Sequence, residues 1–435
     1  MNKARYTAVR ALLECEDNGY SNLVLAARLR QKDLDARDRA FVTALVYGTL
    51  ERGILLDELL DRCSQRPLKK LDPAVRVILR SGLYQCLYMD GVPARAAISE
   101  AVELTKRFGK SSAAGFVNAV LRKACGIDPE TLNFEDETRR QSVLYCVTPQ
   151  ILTLLKSAYP AQWEQILRAG FDRPVQAVRV NTLKTTADGL RAKLQKRQVE
   201  AEPGALRDCL ILDGKGDMTA LPEFREGLFQ FQGEPSQCAA LAVKAKPGEH
   251  IVDLCAAPGG KSALLAAEME NRGTLDVCDA QASRLEQAKK NLARWGAACA
   301  AFHCIDAAVY RPEFAGADAV LCDVPCSGLG ILAKKPDIRT KDLKGLEELI
   351  RLQRRILETA ARYPRHGGRL VYATCTLNPD ENEKQIARFL QTHTEYRAVR
   401  PQLPEKYQAG DEKMVTFLPQ SGQTDGFFIA YLERL

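Results

Sequence analysis

Histidine is scarce in this sequence, and its scarcity narrows the metal chemistry that the chain could support. Four histidines occur among 435 residues, and none is combined with cysteine at the spacing of a zinc finger. A zinc site built on Cys322, Cys326 and other cysteines is an alternative that ligand spacing disfavours. We therefore expect a site without a metal.

Long apolar runs are missing too, and so is the pattern of a secretory signal peptide. A membrane-spanning helix needs about 18 or more consecutive apolar residues, and no run here approaches that length. Fourteen cysteines without regular close spacing indicate free thiols in a reducing compartment rather than a disulfide framework. These features predict a cytoplasmic protein that does not bind membranes.

Positive charge is unevenly distributed along the chain. Residues 1–123 hold 21 Lys and Arg against 14 Asp and Glu, whereas residues 124–435 hold 41 of each, so the net +7 lies in the first segment. A basic module is typical of polyanion binding, since phosphate contacts give affinity without sequence readout. Because the excess is mild, a merely solvated helix surface is the alternative.

The length and the spacing of apolar residues divide the chain into segments. A chain of 435 residues is too long for one ordinary core, so we expect two or three domains. Residues 1–126 predict a helical bundle, 127–143 a charged linker, and 144–235 a small α+β subdomain. From 236 to 435 strands and helices alternate, which is typical of a Rossmann-like α/β domain with a mostly parallel sheet.

The main predicted elements follow from the same patterns. Helices are predicted at 4–16, 38–63, 73–89, 94–108, 113–125 and 148–159. Strands of the last domain are predicted at 250–254, 274–278, 299–303, 318–322, 369–373, 414–417 and 426–432. Asp279, Asp306 and Asp323 then fall at or just after carboxyl ends of strands, where open α/β sheets bind ligands.

A glycine turn at residues 258–260 separates an apolar strand run from a helical pattern that begins at Lys261. At such a turn the backbone can approach a ligand closely, and the N–H groups of the helix N-terminus attract negative groups. The next strand run ends on Asp279, about 20 residues later, where a carboxylate can accept hydrogen bonds from ribose. Since the turn is not GxGxxG, we expect a nucleoside-containing cofactor rather than a dinucleotide.

Two short strings near the C-terminal end each place a cysteine after a strand-like run. DVPCSG at 323–328 contains Cys326, and ATCTLNPDENE at 373–383 contains Cys375. A thiol at a strand end among polar residues has the partial exposure that thiolate chemistry requires. We interpret Cys375 as a nucleophile and Cys326 as its helper. For either cysteine alone, inert packing is the competing interpretation.

In their order along the chain these strings resemble a known family. The matching features are CAAPGGK at 255–261, Asp279 with Arg284, Asp306, DVPCSGLG followed by PDI at 336–338, and TCTLNPDENE. They are similar to the S-adenosylmethionine-dependent RNA cytosine-5 methyltransferases of the Fmu, Sun and NOL superfamily. Val324, Leu329 and Thr376 depart from its usual residues, but none removes a group that the chemistry requires.

The resemblance implies methyl transfer to carbon 5 of a cytosine, with Cys375 attacking carbon 6 and Cys326 releasing the product. Asp323 and Lys261 would assist at the reacting ring and thiol. The implied cofactor-binding residues are Cys255, Ala256, Ala257, Pro258, Gly259, Gly260, Lys261, Asp279, Arg284, Asp306 and Asp323. Asp279 would bind the ribose of S-adenosylmethionine and Asp306 its adenine amine.

The strings DRAFVTALVYGTL, AISEAVELTK and GFVNAVLRK resemble the NusB family of helical RNA-binding modules. Joined to such a catalytic domain, a NusB-like domain implies a monomeric bacterial enzyme that acts on 16S rRNA in an unassembled or partly assembled small subunit. It also implies an RRM-like fold for 144–235. The residues expected to contact RNA are Arg5, Arg10, Arg37, Arg122, Arg179 and Asn181. Asn181 could equally cap a turn instead of contacting RNA.

Other classes of protein share parts of the pattern. A DNA cytosine-5 methyltransferase would use Cys326 as nucleophile, but it leaves TCTLNPDENE and the NusB-like segment unexplained. A non-enzymatic RNA-binding or assembly factor does not need an intact cysteine pair and cofactor turn, and a nucleotide-binding oxidoreductase explains neither cysteine string. The same chemistry on another RNA stays open, because nothing in the sequence identifies the nucleotide.

Overall fold

The computed structural model describes residues 3–18, 21–30, 34–214, 216–404, 407, 413–419 and 424–435. The chain divides into two compact units. The first comprises Met1–Ser157 with Lys334–Leu343, and the second comprises Ala158–Ala333 with Lys344–Leu435. The four segment boundaries derived from the sequence do not coincide with this division and stay predictions.

The first unit is helical. Its helices are α1 (Lys3–Asn18), α2 (Ser21–Leu29), α3 (Ala36–Glu51), α4 (Gly53–Cys63), α5 (Pro73–Tyr88), α6 (Ala94–Arg107), α7 (Ala114–Ala124), α8 (Glu137–Leu144) and α9 (Pro149–Ala158). Asp35 and Asp72 begin α3 and α5 because their carboxylates accept hydrogen bonds from the first turns. The prediction of one helix over 38–63 is wrong in one respect, because the structure has two helices there, separated at Arg52. Gly53, which follows Arg52, is a residue type that weakens helices.

The core of this unit follows from the helical spacing of its apolar residues. Leu45, Leu56, Leu59, Ile78 and Leu83 are fully buried. Each such side chain contributes roughly 1.5–3 kcal/mol relative to an exposed position. The apolar faces that the sequence pattern predicted are therefore the faces that pack.

A short segment from the second half of the chain completes the helical unit. It contains a 3-10 helix at Pro336–Thr340. Arg339 is fully buried and donates to the carbonyl oxygen of Tyr145, while the N–H of Thr148 donates to the carbonyl oxygen of Arg339. Ser21 Oγ donates to Asp337 Oδ1 over 2.6 Å. These bonds satisfy polar groups that would be costly to bury alone.

The second unit contains a small antiparallel sheet in the order β2-β3-β1-β4. Its elements are α10 (Trp163–Ala169), β1 (Gln176–Val180), α11 (Ala187–Gln195), β2 (Glu200–Pro203), β3 (Cys209–Asp213), α12 (Pro222–Arg225) and β4 (Phe229–Phe231). β2 was not predicted, because its sequence EAEP is polar and contains proline, which sheets accept at an edge. The predicted α+β character of this region is confirmed.

A large sheet in the order β10-β12-β9-β8-β5-β6-β7, with β11 on β12, forms the rest of this unit. Its strands are β5 (His250–Asp253), β6 (Thr274–Asp279), β7 (Ala300–Cys304), β8 (Ala317–Asp323), β9 (Pro364–Thr374), β10 (Tyr396–Val399), β11 (Met414–Phe417) and β12 (Phe427–Arg434). Its helices are α13 (Glu234–Ala242), α14 (Gly260–Glu268), α15 (Ala282–Trp295), α16 (Leu346–Ala360) and α17 (Glu383–Thr392).

The pairing of these strands confirms the predicted fold class. β7, β6, β5, β8 and β9 pair in parallel, and β10, β11 and β12 add antiparallel pairs at one side. Buried apolar residues cover both faces of the sheet. The carboxyl ends of β5, β6, β8 and β9 therefore meet at one edge, where the candidate site lies. No helix in the described residues is long and apolar enough to cross a membrane.

Candidate active site

The glycine turn has the geometry of a ligand cradle. Gly259 has φ of +95° and lies against α15, where a Cβ atom would come within 2.5 Å of Leu292 Cδ1, so that only glycine fits. α14 begins at Gly260, and within the described residues no side chain caps its first turn. A Cβ added to Gly260 would meet nothing closer than 4.0 Å. The amide groups at this helix start are thus left for a ligand.

Two side chains of α15 hold this turn in place. Arg284 Nη2 donates to the carbonyl oxygen of Ala257 over 2.8 Å, and Asn291 Nδ2 donates to that of Pro258 over 2.8 Å. Arg284 Nη1 also lies 3.6 Å from Asp279 Oδ2 at the end of β6. Arg284 therefore links Asp279, the predicted acidic strand end, to the predicted glycine turn.

Asp253, at the end of β5, is a buried acid beneath the turn that the sequence analysis did not single out. Its Oδ2 accepts a hydrogen bond from Ser262 over 2.7 Å, and among the described residues its Oδ1 has no partner. Burial raises the pKa of Asp253 to about 7, although the Ser262 bond and Lys261 act in the opposite direction. An uncapped helix start above an acceptor and beside Asp279 fits a nucleoside cofactor with a charged amino-acid tail.

Lys261 and Asp323 form an ion pair next to this cradle. Lys261 Nζ lies 2.5 Å from Asp323 Oδ2, with side chains that are 12% and 28% exposed. Burial alone would lower the pKa of Lys261, but the Asp323 carboxylate outweighs it and raises the pKa. Lys261 therefore carries a positive charge at neutral pH.

The two cysteines that the sequence places 49 residues apart are brought into contact. Cys326 Sγ lies 3.3 Å from Cys375 Sγ, because β8 and β9 are parallel neighbours and each cysteine follows one of them. The N–H of Gly330 donates to the carbonyl oxygen of Cys375 over 3.0 Å. Both thiols are partly exposed. This exposure and contact fit the predicted pair of reactive thiols, and inert packing of either thiol stays the competing interpretation.

The protonation of this pair is asymmetric. The pKa of Cys326 is raised well above its usual value, first by its hydrogen bond to Cys375, then by burial and by the charges of Cys375, Glu381 and Asp323. These influences disfavour the thiolate form of Cys326.

A buried carboxylate that sequence reasoning missed connects the two cysteine loops. Glu381 is fully buried. Its carboxylate accepts hydrogen bonds from Ser327 N, Ser327 Oγ, Gln353 Nε2, Thr376 Oγ1 and Asn378 Nδ2. The only signal in the sequence was its place within TCTLNPDENE, since nothing in a sequence shows that a glutamate will be buried.

The remaining cofactor candidates lie at the same edge of the sheet. Asp306 follows β7, is exposed, and accepts a hydrogen bond from the N–H of Ala308 over 2.9 Å. Cys255 is partly buried, and Ala256 and Ala257 are 7% exposed, so these three contribute mainly backbone to the turn. No group of three or more His, Cys, Asp or Glu side chains in the described part of the chain could hold a metal ion.

The RNA candidates of the helical unit separate into exposed and buried side chains. Arg10, Arg37 and Arg122 are exposed. Arg5 is 8% exposed, its Nε donates to Gln85 Oε1 over 2.6 Å, and its guanidinium lies 5.0 Å from the centre of the Phe41 ring. We therefore withdraw Arg5 as a phosphate contact, because its charge is committed inside the helices.

Arg179 and Asn181 are also committed to internal bonds. Arg179 is 2% exposed and donates to the Arg207 carbonyl oxygen and to Glu268 Oε1. Asn181 Nδ2 donates to two carbonyl oxygens, those of Gly227 and Trp295, and its Oδ1 accepts from the N–H of Leu183. The turn-capping alternative for Asn181 fits these bonds, and RNA contact does not. Arg179 thus joins the small sheet to α14, and Asn181 joins it to α15.

Comparison with known proteins gives three successive matches along the chain. Residues 2–125 match the model of the NusB family, and residues 151–219 match the ferredoxin-like domain of RsmF/B-like methyltransferases. Residues 240–433 match the model of the 16S rRNA methyltransferase RsmB/F. This combination of domains is that of an S-adenosylmethionine-dependent RNA methyltransferase.

Full-length relatives agree with these matches. The probable ribosomal RNA small subunit methyltransferase B of Bacillus subtilis is 34% identical over 99% of this chain and 98% of its own length. Ribosomal RNA small subunit methyltransferase B of Escherichia coli is 32% identical over 98% of each chain. The chain belongs to the 16S rRNA methyltransferase RsmB/F family.

Solved structures share the fold. The crystal structure of PH0851 covers 100% of this chain and 99% of its own, with a TM-score of 0.87 and 28% identity. NSun6 from Pyrococcus horikoshii, solved with SFG, covers 67% of this chain and 99% of its own, with a TM-score of 0.60 and 22% identity. At that identity the second likeness concerns the fold alone.

Proposed function

We propose that this protein transfers a methyl group from S-adenosylmethionine to carbon 5 of a cytosine in 16S rRNA, through a covalent bond between Cys375 and the base. The observation that carries this proposal is the 3.3 Å contact between the thiols of Cys326 and Cys375. The ion pair of Lys261 and Asp323 at the end of β8 supports it. The family to which the chain belongs supports the choice of 16S rRNA.

Carbon 5 of cytosine is a poor nucleophile, so the protein must first activate the ring. Cys375 attacks carbon 6 as a thiolate, and the nearby positive charge of Lys261 favours that form. The electrons of the double bond between carbons 5 and 6 move toward the ring nitrogen, where Asp323 in its protonated form donates a hydrogen bond that takes up the developing negative charge. Bound S-adenosylmethionine supplies the electrophilic methyl group that carbon 5 then takes up.

The order of the two cysteine roles follows from their contact. The hydrogen bond to Cys375 is the first cause of the raised pKa of Cys326, and the charge of Cys375 adds to it. Once the sulfur of Cys375 is bonded to carbon 6, both that charge and that hydrogen bond are lost. The pKa of Cys326 then falls, so its thiol can give up its proton to water and accept the proton on carbon 5. Cys326 thus becomes a base at the step that needs one.

For the cofactor, we propose that Asp279 accepts hydrogen bonds from ribose hydroxyls while the start of α14 receives the charged tail. Replacing Asp279 by alanine should weaken binding of S-adenosylmethionine by about 1.5–3 kcal/mol, as for other hydrogen bonds to a charged group. Calorimetric titration of the pure protein without RNA measures this directly. Asp188→Ala, which removes an exposed carboxylate from α11, is the matched control. Equal affinities for both variants would remove Asp279 from the site.

For RNA, we propose that Arg10, Arg37 and Arg122 contact phosphates. Replacing all three by alanine should lower affinity for rRNA and reduce the slope of log K against log salt by up to about three. The control is a triple replacement of exposed arginines that are paired with Glu137, Glu164 and Glu270, namely Arg140, Arg168 and Arg272. Identical slopes for the two triple variants would mean that the basic excess only solvates the helices.

We further propose that the protein acts in the cytoplasm as a monomer, on rRNA that is not yet fully assembled into a subunit. A cytosine inside a helix cannot be reached by a thiol, so the target must lie in a loop or be flipped out. Bisulfite sequencing of 16S rRNA from cells with and without the gene identifies the position. A 5-methylcytosine that disappears with the gene is expected. An unchanged pattern at every 16S cytosine would overturn the proposal.

A further inference from the structure

Glu381 contacts the loop that follows β8, which carries Cys326, and the loop that follows β9, which carries Cys375. From the loop of Cys326 it receives hydrogen bonds from the N–H and hydroxyl of Ser327. From the loop of Cys375 it receives a bond of 3.1 Å from Asn378 Nδ2 and one of 3.4 Å from Thr376 Oγ1. The hydroxyls of Ser327 and Thr376 also lie 2.6 Å apart. The carboxylate therefore fixes the two loops relative to each other.

α16 adds a third support for the same carboxylate. Gln353 is fully buried, and its Nε2 donates to Glu381 Oε1 over 2.8 Å and to the carbonyl oxygen of Pro325 over 2.9 Å. The hydroxyl of Tyr372, on β9, donates to the backbone carbonyl oxygen of Glu381 over 2.7 Å. The position of Glu381 is thus determined by the crossover helix and by the strand that precedes Cys375.

Hydrogen bonds stabilise the negative charge of the Glu381 carboxylate, but no positively charged side chain among the described residues pairs with it. Its partners are hydroxyl, amide and backbone N–H groups. A buried charge held in this way keeps its field, since the surroundings screen it less than water does. This charge is one of the causes that raise the pKa of Cys326.

We propose that Glu381 is a positioning residue: it holds the two cysteine loops at their separation and so keeps Cys326 in place to accept a proton when the product is released. This inference rests on the cysteine roles given under the proposed function. In the release step the proton on carbon 5 moves to the sulfur of Cys326. The electrons of that C–H bond form the double bond between carbons 5 and 6. The bond between Cys375 and carbon 6 breaks, and its electron pair returns to the sulfur of Cys375.

This step restores the resting state of the pair. The proton is again on Cys326 and the negative charge is again on Cys375, so no further reactant is required. The transfer requires the sulfur of Cys326 to lie within reach of the proton on carbon 5, and the bonds of Glu381 to Ser327 and Asn378 hold the loop of Cys326 beside the loop of Cys375. Without the bonds that Glu381 accepts from both loops, release should become slow while attack and methyl transfer continue.

The test compares Glu381→Gln with Asp380→Asn, which removes the half-exposed carboxylate of the preceding residue. In Glu381→Gln, the steady-state kcat should fall roughly 100-fold, the cost of a misplaced catalytic group. KM for RNA and affinity for S-adenosylmethionine should not change. A covalent protein–RNA band should accumulate on a denaturing gel. Asp380→Asn should behave as the wild-type protein in all of these measurements.

A second measurement needs neither RNA nor activity. In a Cys375→Ala background, alkylation of Cys326 by iodoacetamide is followed against pH by mass spectrometry. Adding Glu381→Gln should shift the midpoint of alkylation to lower pH by about one unit or more, because a negative charge has been removed. Adding Asp380→Asn should leave the midpoint in place. A role limited to folding would not move it.

The outcomes separate this inference from the proposed function. If the wild-type protein neither methylates nor attaches to RNA, the proposed function fails, and the alkylation shift still reports on Glu381. If the wild type is active but Glu381→Gln matches Asp380→Asn in kcat, adduct and alkylation midpoint, the inference is overturned. Should Glu381→Gln not fold, Ser327→Ala and Asn378→Ala remove single bonds and keep the charge. They should lower kcat without moving the midpoint, and a wild-type kcat in both would also overturn the inference.

Discussion

Replacing Cys375 by alanine should abolish methyl transfer and covalent attachment to RNA, whereas replacing Cys326 should leave the protein covalently joined to RNA. Without the sulfur of Cys375 no bond to carbon 6 forms, so the ring is never activated. Without Cys326 the attack and the methyl transfer proceed, but the proton on carbon 5 has no acceptor. The trapped species should run as a slow, ribonuclease-sensitive band on a denaturing gel for Cys326→Ala alone.

The expected loss of activity is large, so the experiment can clearly contradict the roles assigned to Cys375 and Cys326. Loss of an essential nucleophile lowers activity by several orders of magnitude, as in other enzymes with covalent intermediates. Cys299→Ala, which alters a partly buried thiol before β7, serves as the control and should be fully active. A band with Cys375→Ala alone would make Cys326 the nucleophile, as in DNA cytosine-5 methyltransferases. Full activity in both variants would return both thiols to inert packing.

Asp323→Asn should lower kcat by roughly 100- to 1000-fold, the effect of removing one group that stabilises charge in a transition state. The variant also takes the partner from Lys261, whose ammonium lies 2.5 Å from the carboxylate. With Asp323 gone, burial becomes the dominant influence and the pKa of Lys261 falls below its ordinary value. Lys261 then loses its proton at lower pH than before, and the alkaline limb of the pH profile should move to lower pH.

The measurement is the pH dependence of kcat/KM for the wild-type protein, for Asp323→Asn, for Lys261→Met and for the double variant. The effects of the two single replacements should not add in the double variant, because each removes the same pair. Asp318→Asn is the control, since Asp318 lies on the same strand and accepts bonds from His250 N and Arg365 Nε away from the thiols. A kcat in Asp323→Asn equal to that of Asp318→Asn would exclude Asp323 from the chemistry.

The sequence could predict where the site lies because of a rule about parallel sheets. Asp279, Asp323 and Cys375 each follow an apolar run, and the carboxyl ends of parallel strands meet at one edge. Once the strands were recognised, the shared edge followed without any knowledge of packing. The glycine turn could also be predicted, because the glycines at 259 and 260 can be read directly in the sequence.

The sequence could not predict which charged residues would be buried. Arg5 and Arg179 belong to the same residue type as the exposed Arg10, and only the packed structure shows that their guanidinium groups face internal acceptors. Glu381 was missed for the same reason. β10 was missed as well, since YRAV is a short edge strand next to β12 and has no alternating pattern of its own. Such features depend on contacts between residues that are distant in sequence.

The helical unit is discontinuous in the chain, and this affects how it can fold during translation. Residues up to Ser157 are synthesised well before Lys334–Leu343, which complete the same unit. At roughly 5–20 residues per second, a ribosome needs about ten seconds or more to make the intervening residues. Until then the carbonyl oxygen of Tyr145 and the N–H of Thr148 lack the partners that Arg339 provides. The nascent helical unit therefore stays incompletely packed until the ribosome has made Lys334–Leu343, which follows Cys326 closely in the sequence.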